Sequence, residues 1–141
     1  MESWKRSFSE KLGQVQARWA TRFEDSLEEA VTPIFDELSD FLTHNGLLVT
    51  TPVQENGRRT YKFELAEDAY VLLNFRSRGI GEFELSRETF VLGHRPVIRK
   101  TTERVSSLSP EWAQREFQGA LDTFVELLNG ADQQVEQLVT A

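Results

Sequence analysis

The residue types that most often carry enzyme chemistry are sparse in this sequence. It contains no Cys, so thiolate nucleophiles, disulfide bonds and cysteine metal ligands are excluded. Asp40 and His44 stand four residues apart and would share a helical face, but His94 is the only other His. Because a zinc site needs three or four ligands, and the sequence offers no cluster that supplies them, we expect no metal ion. No motif indicates another cofactor.

Motifs for phosphate binding or acyl transfer are equally weak. Gly79-Ile80-Gly81 resembles part of a phosphate-binding loop. Such a loop leads into a helix, whereas extended residues follow here, so a hairpin turn is the simpler interpretation. No Gly-x-Ser-x-Gly sequence occurs. Among 23 Asp and Glu residues, no catalytic pair can be singled out. An enzyme with a site assembled from scattered residues is therefore our third hypothesis.

Basic residues cluster in the middle of the chain, on segments that we predict to be strands. If these strands are neighbours, the basic side chains could converge on one sheet face and bind an anion or an acidic partner. The simpler interpretation is a face that is solvated or covered by the chain's own acidic helices. The candidate residues are Arg58, Arg59, Arg76, Arg78, Arg99 and Lys100.

Charge alternates in blocks along the chain. Residues 1–23 carry a net charge of +3, residues 24–46 carry −7 without any Lys or Arg, residues 47–105 carry +2, and residues 106–141 carry −5. The total of −7 and the acidic flanks disfavour nucleic-acid binding, because phosphate would be repelled. We expect no nucleic-acid partner.

One apolar stripe of helical spacing runs through the first 41 residues, which predicts a long helix. Its members are Trp4, Phe8, Leu12, Val15, Trp19, Phe23, Leu27, Val31, Ile34, Leu38 and Phe41. Asn45-Gly46 supplies a C-terminal stop. At Thr32-Pro33 a second helix could begin, but the stripe keeps its phase there, so a kinked continuous helix is an equal alternative.

A helix over residues 2–45 would be about 65 Å long, whereas a compact domain of this size is about 35–40 Å across. Either the helix folds back at Pro33 or half of it overhangs. An overhanging aromatic stripe would not stay exposed, so we expect a homodimer held through Trp4, Phe8, Trp19 and Phe23. The basic first block and the acidic second block predict antiparallel pairing, with Trp19 and Phe23 near the two-fold axis.

The N-terminal segment also has the composition of a membrane-surface helix, with aromatic residues on one face and basic residues nearby. Its five basic residues are offset by Glu2 and Glu10. We therefore expect no membrane contact, and a cytoplasmic location.

The middle of the chain predicts an antiparallel meander of four or five strands, over about 47–54, 58–65, 69–76, 80–92 and 97–103. Asn56-Gly57 is a strong hairpin turn, and Pro52 indicates an edge strand. A further turn is expected at Ala66-Glu67-Asp68. Ser109-Pro110 then begins a helix that ends at Asn129-Gly130 or continues through Ala131, Val135 and Leu138.

These patterns together predict one α+β domain over residues 1–141. Residues 1–46 form a helical segment, residues 47–105 the antiparallel sheet, and residues 109–140 the C-terminal helix. The leading functional hypothesis is a non-catalytic protein-interaction module, adaptor or chaperone-like, that self-associates through the N-terminal helix and binds a protein partner not identifiable from the sequence. The alternative is a small-molecule or anion-binding protein that uses the basic sheet face.

Overall fold

An α+β architecture, as predicted, is seen in a computed structural model that describes residues 1–66 and 68–140, with side chains described for residues 1–66 and 68–130. A long N-terminal helix, an antiparallel sheet and a C-terminal helix follow one another along the chain. The two helical parts lie on the same face of the sheet, and one cluster of buried side chains joins them to it.

The N-terminal helix is continuous through Pro33, which decides between the two alternatives left open by the sequence. Helices α1 (Glu2–Ser26) and α2 (Thr32–His44) are joined by a π-turn at Leu27–Val31, and the backbone stays helical at both junctions. Pro33 has no N–H, and in a regular α-helix its ring would press on the carbonyl group of Glu29. The wider π-turn relieves that conflict without breaking the helix.

The π-turn places one extra residue in the helix and rotates the following residues relative to the predicted stripe. The stripe continues in one helical phase to Phe41, but Phe41 is 62% exposed and Leu42 is buried instead. Phe35, which the stripe omits, also lies in the core. Beyond Pro33 the buried face therefore departs from the regular α-helical phase of the stripe.

Within the described residues the sheet has six strands, and every pairing is antiparallel. Their order is β1-β3-β4-β5-β6, and β2 pairs with β3 as well. The strands are β1 (Leu48–Val49), β2 (Val53–Glu55), β3 (Arg58–Ala66), β4 (Ala69–Arg78), β5 (Glu82–Val91) and β6 (Val97–Arg104).

The first predicted strand differs from expectation. It is divided into β1 and β2 around Pro52, because proline has no N–H to donate to β3. Gly57, in the predicted Asn56-Gly57 hairpin, has a positive φ of 72°. The turn predicted at Ala66-Glu67-Asp68 contains Glu67, which lies outside the described residues.

Alternation along β3, β4 and β5 divides the sheet into two faces. The face toward the helices carries buried apolar side chains, including those of Tyr61, Phe75 and Phe83. The opposite face carries mostly half-exposed polar and charged side chains, together with Tyr70, Leu72 and Phe90, and we refer to it as the open face. This period of two places every second residue of a strand in the core.

Helix α3 (Pro110–Thr140) begins at the predicted N-cap, where the Trp112 N–H donates to the Ser109 hydroxyl oxygen at 3.1 Å. It passes through Gly130, so the longer of the two predicted ends is correct. Its Phe117 ring lies 5.7 Å from Tyr61 and 6.2 Å from Phe35, measured between ring centroids. The side chains of Ala131, Val135 and Leu138 lie outside those described.

The N-terminal helix is much longer than the body that it packs against. At 1.5 Å per residue, residues 2–44 span about 65 Å. Packing against the core begins only at Trp19 and Phe23, and none of residues 1–18 is buried. We call residues 1–18 the arm. None of the described helices combines the length with the apolar composition that a membrane crossing requires.

Candidate interaction surfaces

The arm carries an apolar stripe that the chain's own fold leaves uncovered. Trp4 is 61% exposed and Phe8 is 51% exposed, and their rings stack with centroids 5.3 Å apart. Leu12 and Val15 continue the same stripe and are half-buried. We call these four residues the arm stripe. Exposed aromatic side chains grouped in this way are typical of surfaces that bind a partner.

Trp19 and Phe23, the other two predicted self-association residues, belong to the body of the molecule. The Trp19 ring lies so close to Gly81 that a side-chain carbon added to this glycine would be 3.5 Å from it. Phe23 is fully buried, with its ring 5.8 Å from that of Phe83. Phe23 therefore anchors the helix to the sheet and offers no exposed surface in this structure, and its contact with a second copy stays a prediction.

Part of the acidic segment is neutralised within the chain. Arg59 is 2% exposed on the helix-facing side of the sheet, and its guanidinium donates to the carboxylates of Glu24, at 2.8 Å, and Glu28. It also donates to the Thr32 hydroxyl at 3.3 Å, and that hydroxyl lies 2.9 Å from the hydroxyl of Tyr61. Glu24 and Glu28, which belong to the acidic second block, therefore receive a counter-charge from within the chain.

Burial affects the two central groups of this cluster in opposite directions. Burial lowers the pKa of Arg59, but the interactions of its guanidinium with Tyr61, Glu28 and Glu24 outweigh this effect, so the pKa is raised overall. Burial raises the pKa of Tyr61 against the opposing effects of Thr32 and Arg59. The cluster thus holds a charged guanidinium beside a neutral phenol.

The six predicted basic residues are divided between the two faces of the sheet. Arg58, Arg76 and Lys100 lie on the open face and line one depression of about 350 Å³. Beside it, Arg78 pairs with Glu84 at 3.4 Å. The strand alternation places Arg99 on the helix-facing side, as it does Arg59. The predicted basic face is thus assembled from four of the six residues.

Carboxylates share this depression with the basic side chains. Glu84 and Glu88 line it together with Arg58, Arg76 and Lys100. Arg58 and Arg76 stand directly opposite each other on β3 and β4, and Arg58 donates to the side-chain oxygen of Asn74 at 3.0 Å. The depression therefore offers two adjacent guanidinium groups within a nearly balanced set of charges.

A second apolar surface, which was not predicted from the sequence, lies between α2 and α3. It is a groove of about 410 Å³, and we call it the α2–α3 groove. Its apolar lining consists of Leu38, Phe41, Leu42, Leu47, Leu121, Phe124 and Val125. The exposure of Phe41 depends on the π-turn, and no residue pattern in the sequence predicts that turn. The groove could therefore not be found from residue periodicity.

The potential metal ligands do not cluster. Among residues 1–66 and 68–130, no group of three His, Asp or Glu side chains is arranged to hold a metal ion. The Nδ1 atom of His44 donates to the carbonyl oxygen of Asp40 at 2.6 Å, at the end of α2.

Comparisons with known proteins found no match to this chain among protein-family models, curated proteins or solved structures. A function for this chain must therefore be inferred from the surfaces described above.

Proposed function

We propose that this protein is a non-catalytic interaction module, adaptor or chaperone-like, that forms a homodimer through its N-terminal arm. The observation that carries the proposal is the arm stripe. Its side chains project from a helix that extends beyond the body, where neither the sheet nor α3 covers them. Burying a large apolar side chain contributes roughly 1.5–3 kcal/mol, so a partner that covers Trp4 and Phe8 gains substantial free energy.

A partner would also stabilise the arm. Most helical stability in proteins comes from packing of an apolar face, and no part of the chain's own core packs on the arm. The arm has 18 residues, among them Gly13 at an interior position. A second copy of the chain can be this partner, because a two-fold interface uses the same surface of both chains.

The mass of the protein in solution tests this proposal. We expect light scattering at tens of micromolar to give the mass of two chains for the wild type. Phe8→Asp places a charge on the exposed arm and should give the mass of one chain, with unchanged circular dichroism of the body. Leu92→Asp is the matched control, because Leu92 is an exposed apolar residue far from the arm in sequence, and it should stay dimeric.

Two results would contradict the proposal. A wild type with the mass of one chain at this concentration excludes self-association. A Phe8→Asp variant that dimerises as tightly as the wild type excludes the arm stripe as the interface.

An anion-binding function is the second candidate, favoured by the cross-strand pair of Arg58 and Arg76. Like charges directly opposite each other destabilise a sheet, and a bound anion between them would relieve the repulsion. The test is an NMR titration with inorganic phosphate. We expect shifts of residues around the depression that are lost in Arg58→Gln and kept in Arg95→Gln, a control in the turn after β5. Uniform small shifts in all three proteins would exclude a site.

A further inference from the structure

The arm stripe and the α2–α3 groove are two apolar surfaces that the described part of the chain leaves uncovered, at opposite ends of its long helix. Phe41 on α2 and Val125 on α3 both line the groove and are 62% and 61% exposed. A groove between two helices is a typical receptor for an amphipathic helix, whose large side chains fill it at intervals of three or four residues. The arm presents its apolar residues at that spacing.

The charges around the two surfaces are complementary. The arm carries four basic and two acidic residues, a net charge of +2. The helices that border the groove expose carboxylates and, within the described part of α3, one basic residue, Arg115. These carboxylates are Asp36, Glu37, Asp40, Glu111, Asp122 and Glu126, and Asp122 lines the groove itself. Two arms packed on each other would bring like net charges together, whereas an arm in the groove faces opposite charge.

The spacing of the two surfaces along the helix suits a two-fold arrangement. The centre of the arm stripe lies about 23 Å before Asp25, and the groove residues Leu38–Leu42 are centred about 22 Å after it, at 1.5 Å per residue. When two such helices lie antiparallel with the axis near Asp25, both arms meet both grooves at once. Closed pairing of this kind leaves no free arm and no free groove.

We propose that the arm of each protomer lies in the α2–α3 groove of a second copy of this chain. This inference rests on the arm-mediated dimer proposed above and names the surface that receives the arm. Phe8 then lies beside Phe41 and Val125 of the partner subunit. Arg18 and Arg22 lie level with the acidic part of the partner's helix around the π-turn. The carboxylates Asp25 and Glu29, which have no ion pair among the described residues, gain basic neighbours there.

Cysteine cross-linking between two variants tests the arrangement, and the chain contains no Cys of its own to interfere. Phe8→Cys and Val125→Cys proteins are mixed, allowed to exchange subunits and treated with a short bismaleimide. We expect a cross-linked dimer in the mixture and little in either protein alone. Phe8→Cys mixed with Ile98→Cys, an exposed position on the open face, is the control and should give none.

A charged substitution in the groove provides a second test of the arrangement. Val125→Asp should raise the dimer dissociation constant at least about tenfold, while leaving the thermal midpoint of the monomeric body within error of the wild type. Leu92→Asp should leave the dissociation constant unchanged. If Phe8→Cys alone cross-links to itself as the main product, or Val125→Asp dimerises like the wild type, the arm does not occupy the groove although the chain still self-associates. A monomeric wild type overturns both proposals.

Discussion

Arg59 shows how a charged side chain can be placed in the core of a small sheet. Its guanidinium replaces its lost hydration with two carboxylates and a hydroxyl group from the long helix. Such a group is destabilising when its partners are removed, because the buried charge is then left uncompensated. The carboxylates themselves are less buried, with side chains 36% exposed for Glu24 and 54% for Glu28, so solvent moderates the effect.

We expect Glu24→Gln combined with Glu28→Gln to lower the free energy of unfolding by about 2 kcal/mol, because Arg59 loses both counter-charges. Urea denaturation followed by circular dichroism measures this change. Both variants are compared in the Phe8→Asp background, which is expected to be monomeric, and Asp25→Asn with Glu29→Gln is the matched control on the same helix. It removes the same charge from residues without an ion pair and should change stability by less than about 0.5 kcal/mol. Equal losses in both variants would mean that the ion pairs to Arg59 contribute nothing specific.

Tyr61 makes the stability of the body sensitive to alkaline pH. Burial raises the pKa of its phenol above the ordinary value of 10.0, so the native state holds this proton more tightly than the unfolded chain does. The corresponding stabilisation is complete below pH 10 and is lost as the pH rises from 10 through the native pKa. We expect the thermal midpoint to fall over that window, and to fall less in Tyr61→Phe. A phenolate absorbance titration in which Tyr61 ionises at its ordinary pKa would contradict this expectation.

At the scale of elements, the π-turn decides what the long helix can do. Because the π-turn accommodates Pro33 without a break, α1 and α2 form one continuous helix. This helix is too long for the sheet to cover. By adding one residue the π-turn also turns Phe41 outward and Phe35 and Leu42 inward. One local irregularity therefore produces both an overhanging arm and an exposed apolar side chain at the groove.

Two glycines, one in the long helix and one in the turn before β5, should respond to substitution by alanine in opposite ways. Gly13 is an interior helical residue with nothing within 4 Å of an added side-chain carbon, so Gly13→Ala should stabilise the arm by about 0.5–1 kcal/mol and increase its helicity. Gly81 has a φ of 75°, and a carbon added there would face the Trp19 ring at 3.5 Å. Gly81→Ala should therefore destabilise the body by about 1 kcal/mol or more.

Thermal unfolding and helical circular dichroism of both variants check these signs. A stabilised Gly81→Ala would show that the contact between Trp19 and the turn before β5 is not maintained in solution. A Gly13→Ala protein with less helix than the wild type would show that the arm is not helical.

At the scale of the whole molecule, the alternation of charge along the chain separates a basic arm from acidic helices. Within one chain the basic arm and the acidic helices stay apart, since residues 1–18 extend away from the body. The basic arm of one copy then attracts the acidic helices of another copy. Salt screens this attraction and weakens it.

Salt dependence of dimerisation follows from this arrangement. Raising the NaCl concentration from about 50 to about 500 mM should weaken the dimer several-fold when a basic arm meets an acidic groove. Sedimentation velocity over a dilution series measures the dissociation constant at each salt concentration. Dimerisation that strengthens with salt would indicate that like charges face each other, as in packing of arm on arm.

The sequence by itself determined the class of fold and the order of elements. Local physical chemistry is enough to interpret the patterns that predict these elements. They are the residue periodicities of 3.6 and 2, the hairpin turn at Asn56-Gly57 and the start of α3 at Ser109-Pro110. The arm stripe at Trp4 and Phe8 could also be predicted, because its apolar pattern is unbroken up to Pro33. The side of the sheet on which Arg59 and Arg99 lie follows from register, which a sequence pattern specifies less directly.

Only the tertiary structure decided which apolar and charged residues remain available to a partner. Phe23 and Phe8 belong to one sequence stripe, yet the sheet covers the first and ends before the second. Glu24 and Asp25 are adjacent acidic residues, yet Arg59 from a distant strand pairs with Glu24 alone of these two. The α2–α3 groove depends on the π-turn and on the approach of a helix more than 60 residues away in sequence. Burial and ion pairing are properties of neighbours in space, and the fold supplies those neighbours from distant parts of the chain.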